Sequence, residues 1–255
     1  MSFGSVAVDY DRFRPGPPAD AVRWLVPAGA QTVVDLGAGT GLLSRALQAV
    51  VPRVVAVEPD ERMRAVLADR SPGVRVVEGR GESIPLPDAS ADGVFVSSAW
   101  HWMDPELTVP QIARVLRDGG RFGVLWTSRD REVGWVRELE RPRRAASAGD
   151  SASAGDAAGP GGRQEWPQRR ELTLPRDGVF GAIETASFRF SLTMTLDRFV
   201  EMLGTYSGVI TASQDDRAAV LDRARAALRE RFGDQDEIEV PMRSWCWRAD
   251  RDARR

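Results

Sequence analysis

The run Val33-Val34-Asp35-Leu36-Gly37-Ala38-Gly39-Thr40-Gly41 carries the clearest chemistry in this chain. An apolar stretch leads into three glycines at alternate positions, and a helix-like stretch follows. Glycine there permits a tight turn and lets a ligand lie close against the backbone. The N–H groups that open the following helix can hold an anionic group. A plain strand-to-helix turn needs neither three glycines nor the acid Asp35. A dinucleotide loop requires G-x-G-x-x-G. Here the third glycine comes one position early, at Gly41, and Leu42 follows, which disfavours a pyrophosphate loop. Further along, a second apolar run ends in Glu58 of Val55-Ala56-Val57-Glu58-Pro59-Asp60. An acid at that strand tip, about twenty residues on, can accept hydrogen bonds from both hydroxyls of a ribose.

Other chemistries find less support. One histidine, His101, and one cysteine, Cys246, cannot build a zinc site. No G-x-S-x-G elbow accompanies His101, which argues against a Ser–His–Asp hydrolase. A single cysteine also forms no internal disulfide, as suits a cytoplasmic protein.

The elements that must position these residues follow a regular beat. Short β-branched runs occur at 32–36, 53–57, 74–78, 93–96 and 122–126. Helix-like stretches lie between them. Leu42, Leu43, Ala46, Leu47 and Val50 share one helical face; so do Met63, Val66 and Leu67, and so do Ile112, Val115 and Leu116. This alternation predicts βαβ units and a parallel sheet covered on both faces. Asp118-Gly119-Gly120 reads as the end of the helix carrying Val115 and Leu116. After residue 163 the pattern changes to two longer strands, 188–194 and 237–247, with helices over 196–203 and 215–231 between them. The expected fold is α/β: a doubly wound, Rossmann-like, seven-stranded and mostly parallel sheet, with one of the last strands antiparallel.

The composition is that of an ordinary globular chain of 255 residues, 42% apolar and 28% charged. No apolar run approaches the roughly 18 residues of a membrane span, and the opening ten residues do not read as a secretory signal. All 35 basic residues are arginine, and lysine and asparagine are absent. That bias fits a GC-rich genome. Clusters such as Arg141, Arg143 and Arg144, or Arg251, Arg254 and Arg255, therefore read as solvated charged faces rather than a nucleic-acid surface. With a net charge of −2, neither nucleic acid nor membrane is an expected partner. Residues 145–163 form a low-complexity stretch with a near-tandem ASAGD repeat and no large apolar side chain. It reads as a loop inserted in one domain spanning 1–255. Deleting residues 148–161 is expected to change stability by less than about 1 kcal/mol, because no core is lost and loop length costs little. A urea titration of the deletion variant checks this.

The set VDLGAGTG, VEPD, GRGESIPLPDASADGVFVSSAWHW and RVLRDGGRFGVLW resembles the class I S-adenosylmethionine-dependent methyltransferases. Within them it is similar to the small-molecule branch with a ubiquinone-methyltransferase-type domain. Trp100-His101-Trp102 and the opening FGSVAVDYDRFRPG resemble the trans-aconitate methyltransferase-like members. The resemblance covers roughly residues 3–131 and implies S-adenosyl-L-methionine as cofactor. It implies that Asp35, Gly37, Ala38, Gly39 and Gly41 line the methionine part, and that Glu58, with Pro59 beside it, binds the ribose. Gly81 and Glu82 would sit beside the adenine. Many relatives carry Asp where this chain has Arg80, so the Gly81 N–H is the expected adenine contact. Ser98 and Trp100 would border the methionine and the transferred methyl. Tyr10 and Arg14 belong to a segment that in relatives closes over the cofactor, where Arg14 could pair with the methionine carboxylate.

Methyl transfer from a sulfonium is an in-line displacement with an activated leaving group. The protein mainly supplies alignment and water exclusion. His101 has two readings: a general base for an acceptor O–H or N–H, or a packed imidazole bonded to backbone. Trp100, Trp102 and Trp126 could wall an acceptor pocket or contact the sulfonium, or pack the core. Trp245 and Trp247 share one strand face and read as core. The expected protein is a methyltransferase acting on a small-molecule acceptor, as a monomer or weak homodimer. The alternatives are a cofactor-binding protein of the same fold without activity, or a nicotinamide-dependent oxidoreductase.

Overall fold

The computed structural model describes residues 7–140, 174, 178–206, 209 and 213–252, with backbone alone for 8–10 and 140. The stretch 145–163 lies outside the described residues, as do Arg141, Arg143, Arg144, Arg254 and Arg255. In chain order the elements are α1 (Ala7–Phe13), α2 (Ala19–Leu25), β1 (Thr32–Leu36), α3 (Leu42–Gln48), β2 (Arg53–Glu58), α4 (Glu61–Arg70) and β3 (Arg75–Glu78). They continue with β4 (Ala91–Ser97), a 3-10 turn (Trp100–Trp102), α5 (Pro105–Val115), β5 (Leu116–Arg129), α6 (Gly134–Glu140), β6 (Glu184–Thr195), α7 (Leu196–Gly204), α8 (Gln214–Phe232) and β7 (Glu237–Asp250).

The strands form one seven-stranded sheet in the order β3-β2-β1-β4-β5-β7-β6. Pairing is parallel from β3 through β5, and β7 runs antiparallel to both β5 and β6. The apolar runs behave as doubly covered strands should: every residue of β2 after Arg53 is buried, as is most of β4. Val34, Val57, Val94, Ile112 and Phe122 pack one face; Val22, Leu25, Leu43, Leu47 and Phe95 pack the other. Trp247 is buried and Trp245 packs against the first of these faces.

Three local expectations need correction. The helix before β5 stops at Val115, with Leu116 already extended. Gly119 instead takes its left-handed φ of 72° near the start of β5, where its N–H donates to the Arg251 carbonyl at 3.1 Å. Val50 lies beyond the end of α3 and is exposed, because the chain turns before its side chain reaches the core. Arg251 is no solvated charge: it is 5% exposed, donates to the Leu116 carbonyl and faces Asp118 at 3.3 Å.

β5 is longer than its apolar run. The last β4–β5 pair is Ser97 with Leu125, yet β5 continues against β7 through Arg129, opposite Met242. Pairing of β6 with β7 extends further, to Thr195 opposite Glu237. At about 3.3 Å per residue, β5 alone projects ~13 Å past the carboxyl edge of its neighbours. On this projection sits a third apolar cluster, with Met194, Ile238, Val240 and Met242 from the strands, Phe199 and Met202 from α7, and Leu228 from α8. Phe13 and Trp135 pack against it. A helical cap thus stands beside the edge where the glycine loop lies.

Candidate functional site at the carboxyl edge

β1 delivers Asp35 and the glycine loop to the carboxyl edge. The loop is held from below by β2: the N–H groups of Gly37 and Ala38 donate to the Val57 carbonyl at 2.8 and 3.2 Å. Gly37 has a φ of 67°, and an added Cβ would stand 2.9 Å from both Ala99 Cβ and Met103 Cε. Only glycine fits there. Gly39 differs. Its φ is 57°, and a Cβ built on it would meet nothing within 4 Å. The loop therefore presents open space at Gly39 while being packed at Gly37. Gly41 begins α3, its carbonyl accepting the Arg45 N–H at 2.9 Å.

Asp35 is 1% exposed. Its Oδ2 accepts the Ser44 hydroxyl at 2.6 Å, while Oδ1 is buried and has no hydrogen-bond partner among the described residues. Desolvation dominates and lifts its pKa to about 7, against the Ser44 hydrogen bond that lowers it; nearby Glu58 adds to the rise. Glu58 ends β2. Its two carboxylate oxygens accept the Gly39 N–H at 2.8 Å and the Asp60 N–H at 2.9 Å. Burial raises its pKa as well, with the two backbone N–H bonds opposing. Pro59 follows, exposed.

The remaining expected site residues divide. Gly81 is buried, with Thr108 and the Met103 sulfur 2.9–3.0 Å from where a Cβ would be. Glu82 caps the next loop: its Oε1 accepts the Asp104 N–H at 3.0 Å. The Ala99–Asp104 stretch is thereby pinned both to the loop after β3 and across Gly37. Ser98 adopts a left-handed φ of 55°, uncommon for serine, with its N–H on the Leu125 carbonyl at 2.9 Å. Trp100 turns inward and stacks tilted on Phe122 at 5.3 Å. Trp126 is also buried, edge-on to Trp247. His101 and Trp102 are exposed, their rings 4.7 Å apart, and Trp102 is 66% exposed. The imidazole is therefore not packed in the core.

Arg14 reaches the cap. Its Nε and one Nη donate to the side chain and carbonyl of Thr205, both at 3.0 Å, and its guanidinium lies 3.6 Å from the Tyr206 ring centre. Arg129 covers the same ring at 4.3 Å. Tyr10 lies on α1, and its side chain is outside the described residues. Sequence reasoning missed Ser44, Met103 and Arg45. Each gains its position through contacts with residues far along the chain or across a turn, and no periodicity marks it.

A methyltransferase domain model matches residues 34–124. An uncharacterised methyltransferase of Mycobacterium tuberculosis is 37% identical over 251 residues, spanning 98% of this chain and 95% of that one. The chain belongs to the class I S-adenosylmethionine-dependent methyltransferases. A solved structure from Anaeromyxobacter dehalogenans, described as a candidate Type II methyltransferase, superimposes with a TM-score of 0.68 at 26% identity, over 94% of this chain and 98% of that one. A ubiquinone/menaquinone biosynthesis C-methyltransferase of Rubrivivax gelatinosus is 36% identical over 124 residues, 48% of this chain and 46% of that protein. Among the described residues, no helix of this methyltransferase is long and apolar enough to cross a membrane.

Proposed function

We propose that this methyltransferase binds S-adenosyl-L-methionine over the glycine loop and transfers its methyl group to a small-molecule acceptor held between the carboxyl edge and the cap. One observation carries the reading: the buried, unpartnered Oδ1 of Asp35 lies on the strand that delivers a loop left open at Gly39 and closed off at Gly37. An orphaned buried carboxylate oxygen is costly unless a ligand donates to it. A methionine ammonium is such a donor. Glu58, at the tip of β2, would take the ribose hydroxyls, with Pro59 beside it. Gly81 and Glu82 would border the adenine. When bound, the cofactor supplies a methyl group already activated by the positive sulfur.

What the chain adds is alignment and water exclusion. Ser98 would border the reacting region, held there by its strained backbone. Trp100 would support that border from the core side. Tyr10 and Arg14 would close the segment above it. His101 is the proposed base where the acceptor must lose a proton. The chain would work as one domain, in the cytoplasm, as a monomer or weak homodimer, without nucleic acid or membrane as partner. Titration with S-adenosylhomocysteine and with NAD in parallel tests the cofactor. Binding of the first alone is expected; binding of NAD alone would overturn the assignment.

The Asp35 carboxyl sets a pH dependence with two opposite signs. A cofactor ammonium favours the ionised form, so S-adenosylhomocysteine affinity should rise from pH 6 to pH 8 and then level off, about the value of 7. Folding behaves the other way. A carboxyl raised in the folded state stabilises fully below its unfolded pKa, and that contribution is lost as pH rises through the folded value. Asp35→Asn should therefore stabilise the ligand-free protein by ~1–3 kcal/mol at pH 8, with less gain near pH 4. It should also weaken cofactor binding. Urea unfolding and calorimetry across that range read both signs.

A further inference from the structure

The glycine loop and the cap both meet α1, and among the described residues Arg45 links α1 to the loop. Arg45 lies on α3, just behind the loop. Its Nη1 donates to the Thr40 carbonyl at 2.9 Å and to the Ser71 hydroxyl at 3.1 Å. The same Nη1 stands 3.4 Å from where a Cβ on Gly41 would be. Its Nη2 pairs with Asp11 Oδ1 of α1 at 2.6 Å. The pair is largely shielded, with side-chain exposures of 30% for Arg45 and 13% for Asp11. A shielded, charge-assisted contact of this kind is stronger than a surface pair. At its far end α1 is anchored to the cap by Phe13 in the third apolar cluster and by Arg14 on Thr205 and Tyr206. The planar guanidinium has donors enough for the loop carbonyl, the α4 terminus and the α1 carboxylate together.

We propose that Arg45 is a positioning residue that couples the seating of the cofactor on the glycine loop to the docking of α1, through Asp11. The coupling rests on the cofactor reading above. The Thr40 carbonyl lies inside the loop, between the open Gly39 and the helix start. A ligand that fixes the loop fixes this carbonyl, and with it the guanidinium that holds Asp11. α1 then keeps Arg14 on Thr205 and Tyr206, which completes the roof of the cleft. By linkage, a docked α1 in turn favours the bound cofactor.

Hydrogen exchange of the full chain, measured with and without saturating S-adenosylhomocysteine, tests this. In the wild type the ligand should slow exchange of residues 7–14 by about fivefold or more, the low end of coupling between sites. Asp11→Ala should still bind the ligand by calorimetry, within about tenfold, but the ratio of exchange rates with and without it should fall close to one. Arg45→Gln attacks the pair from the other side and should give the same loss. Asp11→Glu keeps the carboxylate and should restore most of the protection. A purely structural contact would loosen α1 equally in both states and leave the ratio alone. Ligand binding with an unchanged ratio in Asp11→Ala and Arg45→Gln would overturn the coupling alone. Failure of the wild type to bind S-adenosylhomocysteine would overturn the cofactor reading and the coupling with it.

Discussion

Gly39→Arg is expected to reduce S-adenosylhomocysteine affinity by about 100-fold or more, a loss above ~2.7 kcal/mol, while leaving a folded protein. Both halves follow from the same geometry. Nothing lies within 4 Å of a Cβ at this position, so a side chain can leave the backbone here without a clash at its root. The cost to folding is the left-handed backbone, of order 1–2 kcal/mol for a non-glycine residue. The space it fills is the space the ligand needs. Gly37→Arg would be uninformative by comparison, because Ala99 and Met103 stand 2.9 Å away and the fold itself would suffer. Glu58 provides the companion test. Glu58→Ala should cost roughly 1.5–3 kcal/mol of cofactor affinity, the scale of hydrogen bonds to a charged group. It also orphans the Gly39 and Asp60 N–H groups, so Glu58→Gln, which keeps an acceptor, separates loop support from ribose binding. Normal affinity in both Gly39→Arg and Glu58→Ala would remove the cofactor from this loop.

The parallel half of the sheet was legible because its strands are buried on both faces. Val54–Val57 and Val94–Val96 have no polar alternation, and such runs between amphipathic helices leave few other folds. The loop was legible because glycine spacing encodes backbone conformation directly. What escaped the reading depends on partners distant in sequence. The apolar run ends at Trp126, yet β7 gives Thr127, Ser128 and Arg129 a strand to pair with, and Ser128 and Arg129 are buried. Arg251 looks like a charged tail, yet it is buried against the Leu116 carbonyl and Asp118. Arg14 donates to Thr205 and lies over the Tyr206 ring, partners nearly two hundred residues away that the local sequence does not show. In each case the polar side chain is placed by tertiary contacts, which neither periodicity nor spacing encodes.

His101→Gln should lower turnover by roughly 10²–10⁴ if the acceptor must lose a proton to be methylated, with S-adenosylhomocysteine affinity nearly unchanged. The imidazole sits on the 3-10 turn after β4, beside the strand end that carries Ser98, and it is exposed. Exposure has a clear consequence for the mutant. The ring and its neighbour Trp102 are both exposed, so Gln should change the melting temperature little. Loss of activity could not then be attributed to unfolding. The wild-type rate should fall on the acid side, because only neutral imidazole accepts a proton, and the mutant should lack that limb. The two readouts act on different parameters: a base moves kcat and its pH profile, whereas a ring that only positions the Trp102 side chain moves KM for the acceptor. Full turnover with an unaltered pH profile in His101→Gln would leave alignment on the glycine loop and cap as the whole of the chain's contribution. The acceptor would then be one whose methylation needs no proton removed by this ring.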